Sequence, residues 1–142
     1  MAIRSADARW EGTLKEGQGE LKLKSGAFEG QYSFSSRFEE GTGTNPEELL
    51  GAAHAGCYSM ALNAALERNG TTPTYVHTIA KVHMGKDDAD QLAVTKIDLV
   101  VEAEVPGLSA EDFQTFAADA KENCIISRAL NVAEMTLSAT LK

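Results

Sequence analysis

The chain has 142 residues, 43% hydrophobic and 24% charged, and its 21 acidic against 13 basic side chains leave a net charge of −8. That length fits one domain with its own core, expected to span 1–142. The Lys and Arg are scattered, so there is no basic footprint for nucleic acid or an anionic membrane surface, and two cysteines without a CxxC pair do not make a four-ligand zinc site. The opening MAIRSADARWEG has no apolar stretch of signal-peptide length, so a cytoplasmic location with free thiols is expected. Short strands come first: RWEGTL, then ELKLKS after Gly17 and Gly19, then QYSFSSRF, with Tyr32, Phe34 and Phe38 on one side of a strand.

A helix follows. Asn45 is a good N-cap, Pro46 suits the first helical position, and Glu48 completes a capping box. From Leu49 to Leu66 there is no charge, and Gly70 ends the run. Apolar on all sides, short of the roughly 20 residues a membrane span needs, and carrying His54, Ser59 and Asn63, it reads as a buried central helix. TYVHTIAKVHMG and AVTKIDLVVEAEV read as strands, the latter with Thr95, Ile97, Leu99, Val101, Ala103 and Val105 on one face. Ser109 caps a second helix with the stripe Phe113, Phe116, Ala117, Ala120 and Cys124. IISRAL is a short helical turn. The chain closes with a strand that puts Ala133, Met135, Leu137, Ala139 and Leu141 on one face. The order strands–helix–strands–helix–strand gives an α+β fold with antiparallel sheets covered by helices.

Cys57 sits three turns into the central helix, too far from its positive end to be activated by the dipole. Burial among Ala, Gly, Met and Leu raises a thiol pKa, so taken alone Cys57 reads as a small core residue, and so does Cys124. Gly51 and Gly56 weigh against so bland a reading. Each costs a helix about 1 kcal/mol relative to alanine, which calls for a packing reason such as close approach of another helix. His54 shares a face with Cys57, and Cys124 could complete a three-ligand set. His77 and His83 lie on the polar side of their strand, however, and neither metal nor cofactor is expected. His54 is read as a packed side chain with one satisfied nitrogen, or as a group near the thiol. Trp10, Tyr32 and Phe38 are assigned to core or interface.

TNPEELLGAAHAGCYSMAL resembles the signature of the osmotically inducible protein C (OsmC) family, sister to the organic hydroperoxide resistance proteins. The likeness extends to the early WEG, to RFEEGTGTNPEEL, to VTKIDLVVEAEVPG and to the late cysteine. The resemblance implies an intertwined α+β homodimer and a cysteine-based peroxidase acting on organic hydroperoxides. In that reading Cys57 attacks the peroxide, Cys124 resolves the sulfenic acid to a disulfide, Arg37 activates the thiol and Glu47 is the partnering acid. An external dithiol of lipoyl type recycles the pair. One departure stands out: family members often carry proline after the second cysteine, where this chain has Ile125.

Geometry adds a constraint. Ten helical residues separate Glu47 from Cys57, about 15 Å along the axis. Two copies crossing antiparallel near Ala52 would bring Glu47 of one to Cys57 of the other, giving composite sites at a two-fold interface with Glu47 supplied in trans and Arg37 from either subunit. Leu50, Tyr58, Met60, Phe34 and Phe38 are the expected pocket walls. The competing reading is a non-catalytic dimeric carrier with packed cysteines, and a thioredoxin-type oxidoreductase is disfavoured by the missing CxxC.

Overall fold

Glycines and turn residues keep the N-terminal strands short. In the computed structural model, which describes residues 1–130, 132 and 134–142, β1 (Ala6–Glu11), β2 (Gln18–Leu23) and β3 (Glu29–Tyr32) pair antiparallel in that order. Gly19 lies opposite both Trp10 and Tyr32. Having no side chain, it leaves room for their rings to pack at 5.3 Å between centroids.

QYSFSSRF departs from its expected strand. Extended backbone stops at Tyr32, and Phe34–Phe38 form a short helix, α1. Serine chemistry decides this: Ser33 Oγ accepts the Ser36 amide at 3.1 Å while Ser36 Oγ accepts the Ser33 amide at 2.9 Å, a reciprocal cap. Residues four apart share a side in a helix as they do in a strand, so Phe34 and Phe38 still meet, at 5.0 Å. The alternation was therefore ambiguous, and the caps resolved it.

Helix α2 (Pro46–Arg68) starts as its sequence dictates, with Asn45 Oδ1 accepting the Glu48 amide at 2.8 Å. The expected capping box is only half made, because the Glu48 carboxylate accepts from the Thr44 hydroxyl, at 2.8 Å, in place of the Asn45 amide. At the other end Gly70 takes φ +82°, and the amides of Gly70 and Thr71 close on the carbonyls of Glu67 and Leu66. Burial of α2 is one-sided: Gly51, His54, Tyr58, Leu62 and Leu66 are buried, while Ala52, Ala53, Gly56 and Met60 are exposed. Gly51 has its packing reason, although the neighbour is a strand. A Cβ there would lie 3.2 Å from the Ala80 carbonyl oxygen. Among the described residues nothing approaches Gly56 within 4 Å of such an atom, and no helix is long and apolar enough to cross a membrane.

The chain divides into two compact units, Met1–Leu49 and Leu50–Lys142. The second contains β4 (Tyr75–Lys86), β5 (Leu92–Glu104), α3 (Ala110–Asn123), α4 (Ile125–Ala129) and β6 (Glu134–Leu141). The sheet order is β4-β5-β6, and it corrects the expectation of purely antiparallel sheets: β4 and β5 are antiparallel, but β5 and β6 are parallel. The α3–α4 connection carries the chain back across the sheet, which is what parallel neighbours require. Met135, Leu137, Ala139 and Leu141 pack together against the core, whereas Ala133 lies outside the described residues. Ile97, Leu99, Val101 and Ala103 line the inner face of β5, continued just past its end by Val105, and meet Tyr58, Leu62 and Leu66 of α2 and Phe113 of α3. Because Phe113 is fully buried there, Phe113→Ala should lower the unfolding free energy by about 3–5 kcal/mol in urea titration. A loss below about 1 kcal/mol would mean that α3 is not packed on this sheet.

Candidate active site

The four candidate residues fall into two pairs, one in each unit. In the second unit, Cys57 is half-buried on α2 and Cys124, at the junction of α3 and α4, is 1% exposed. Both thiols are free, and each shifts the titration of the other. They share a groove of about 640 Å³, walled by Met60, Ala61 and Ala64 of α2 and by Ile125 and Ile126 of α4, with Arg68 and Asn123 as its polar members. Met60 and Ile125, 76% and 73% exposed, give it an apolar rim.

The cysteines differ in what surrounds them. Burial pushes the Cys57 thiol up, the hydrogen bond with Cys124 adds to the rise, and the amides of Ile125 and Ile126 oppose it. Burial also pushes Cys124 up, but hydrogen bonds from Cys57 and from the amide and hydroxyl of Ser127 outweigh it and bring this thiol below its ordinary value. The cause is local: Cys124 is the N-cap of α4, and its Sγ accepts the Ser127 amide at 3.5 Å. Ile125 occupies the first helical position, where proline is favoured because the amide there has no intrahelical partner. The capping geometry survives without the proline.

His54 is fully buried, with Nε2 2.7 Å from Ser127 Oγ. Burial pulls its pKa down, so the ring is neutral, and among the described residues Nδ1 has no hydrogen-bond partner. Among those residues no three His, Cys, Asp or Glu side chains converge on a metal position. His77 and His83 are on the exposed side of β4, and His83 pairs with Asp98 at 2.7 Å.

The second pair is in the first unit. Arg37 on α1 donates Nε to both oxygens of Glu47 at 3.2 Å and Nη2 to Oε1 at 2.7 Å. Hydrogen bonding to Glu47 raises the guanidinium pKa further, so the group is a permanent cation in a fixed orientation. Among the described residues Nη1 donates no hydrogen bond, and the guanidinium lies 5.1 Å from the Phe38 ring centroid.

Sequence reasoning identified the cysteines and Met60 and misplaced Tyr58. Tyr58 points into the core and donates to the Ala117 carbonyl at 2.9 Å, because one residue beyond Cys57 is a 100° turn away from the groove. Phe34 and Phe38 belong to the first unit, where they pack on each other. Ser127, Ile125 and Ile126 were not named as members of the site, nor was Arg68, although Ile125 was noted as the departure after Cys124. The short apolar run directly after Cys124 was the available signal for the first three.

Comparisons with known proteins converge. Residues 39–138 match the family described as OsmC-like protein. A relative named Peroxiredoxin OsmC from Escherichia coli is 46% identical over 140 residues, covering 98% of this chain and 96% of its own. An OsmC-like protein of unknown function from Vibrio cholerae superposes with a TM-score of 0.80 at 18% identity, covering 98% of this chain and 99% of its own. The organic hydroperoxide resistance protein OhrB of Bacillus subtilis superposes at 0.69 and 21% identity, covering 97% of this chain and 98% of its own.

Proposed function

The chain belongs to the OsmC-like family, and from that premise we propose that it is a thiol-dependent peroxidase reducing organic hydroperoxides to alcohols. The carrying observation is two free thiols lining one apolar groove. Cys57, the more accessible sulfur, attacks the distal peroxide oxygen as thiolate. The O–O bond breaks, the alkoxide leaves and takes a proton, and Cys57 becomes a sulfenic acid. Cys124 displaces hydroxide from that sulfur to form the disulfide, and an external dithiol restores both thiols by exchange.

Within one chain Cys57 is the less acidic thiol, so its activation calls for a cation. We assign that role to Arg37, oriented by Glu47 and supplied across a two-fold homodimer interface. A guanidinium within about 4–6 Å lowers a thiol pKa by about 1–3 units. The exposed small residues Ala52, Ala53 and Gly56 of α2 suit the close helix approach this requires. The cytoplasm, where dithiol reductants are maintained, is the compartment that fits this cycle.

The groove's apolar walls favour a substrate with a hydrocarbon body. Burying an aromatic group stabilises binding by about 1.5–3 kcal/mol, so stopped-flow consumption of cumene hydroperoxide should exceed that of hydrogen peroxide by about ten- to a hundredfold. Equal rate constants would remove the basis for the organic preference.

A further inference from the structure

We propose that His54 is a positioning residue for the second half of the cycle: acting through the Ser127 hydroxyl, its ring holds Cys124 as the thiolate that attacks the Cys57 sulfenic acid. His54 is a fully buried titratable side chain that the peroxide step does not use, and its only polar contact among the described residues is Ser127 Oγ at 2.7 Å. Its tautomer follows from its other nitrogen. Nδ1 is buried without a partner, and an orphaned N–H is a rarer defect in proteins than an empty lone pair. The ring proton therefore sits on Nε2 and is donated to Ser127 Oγ.

A serine hydroxyl has one proton. Having accepted from His54, Ser127 Oγ is set to donate elsewhere, and its neighbour is the sulfur to which its own amide already points at 3.5 Å. Hydrogen bonding from Ser127 is among the effects that bring Cys124 down against its burial. The titratable and charged groups around this network are Cys57, Tyr58, His54 and Arg68 of α2, with Lys121 and Glu122 of α3 and Arg128 of α4 lining the cavity beside Ser127; Tyr58 is engaged with the Ala117 carbonyl. In the step served, the Cys124 sulfur forms the S–S bond and is oxidised. The sulfenyl sulfur is reduced as its S–O bond breaks, and the leaving hydroxide takes up the proton Cys124 had released, giving water.

The role rests on the peroxidase reading above, whereas the titration that tests it needs no turnover. In a Cys57→Ser background Cys124 is the only thiol, and its ultraviolet thiolate absorbance can be followed against pH. Adding His54→Leu or Ser127→Ala should raise the midpoint by about one pH unit, a tenfold loss of thiolate at fixed pH, as expected for one hydrogen bond to a charged acceptor. His54→Gln, which keeps a donor, should restore it. With both cysteines present, disulfide closure after oxidation should slow by about the same factor. An unmoved midpoint in the folded Leu variant, or in Ser127→Ala should the Leu variant not fold, overturns the proposal, as does a Gln variant no better than Leu. A midpoint that moves while hydroperoxide leaves Cys57 unoxidised would uphold the relay and sink the peroxidase reading instead.

Discussion

Cys57→Ser is expected to abolish hydroperoxide consumption, by about 10³-fold or more, because it removes the accessible thiol of the groove. Cys124 is close by, yet it is 1% exposed and held as the N-cap of α4. Cys124→Ser should behave differently: one equivalent of hydroperoxide is consumed, Cys57 stalls as sulfenic acid, and turnover with a dithiol slows. Rapid-mixing measurement of peroxide loss, with a sulfenic-acid trap on the quenched protein, separates the two. Stoichiometric consumption by Cys57→Ser would reassign the attacking thiol to Cys124, the sulfur that the isolated chain makes more acidic.

Arg37→Ala should produce the second large effect. Without a cation the order of acidity within the chain stands, with Cys57 raised by burial and by its bond with Cys124. Losing about 1–3 pKa units of guanidinium stabilisation means about ten- to a thousandfold less Cys57 thiolate at neutral pH. The sign is definite. The rate constant for the Arg37→Ala protein should climb with pH into the alkaline range, where the wild type has already levelled. Glu47→Ala should be milder, because it frees the guanidinium without removing its charge. The trans arrangement has its own test: a mixed dimer of Cys57→Ser and Glu47→Ala subunits should recover one intact site. Activity no higher than that of the two parent dimers would argue that each chain serves its own thiol.

Much of the scaffold was legible because its signals are local. Asn45 before Pro46, the glycine at 70 and Ser109 before α3 act within one turn of themselves: α2 begins and ends, and α3 begins, where these residues dictate, whereas Cys124, expected on the α3 stripe, falls just past that helix as the cap of α4. The alternation in β5 likewise named its buried face without ambiguity. Two readings that failed needed more than a period. Phe34 and Phe38 satisfy strand and helix spacing alike, and only the reciprocal Ser33–Ser36 cap chose between them. The parallel pairing of β6 depends on which sheet edge it reaches, a matter of chain path that no pattern within the strand encodes.

At the site, both cysteines and the Arg37–Glu47 pair were named through the family resemblance; spacing and burial by themselves read the two thiols as small core residues. The sequence alone also foretold that burial would raise the Cys57 pKa, because its helical neighbours are all uncharged. Only the tertiary structure decided which groups answer that burial. It placed the α4 amides against Cys124, turned Tyr58 into the core, and joined His54 to Ser127 across 73 residues of chain. Those contacts join segments distant in sequence, and the energy of a hydrogen bond depends on where its two ends meet in space.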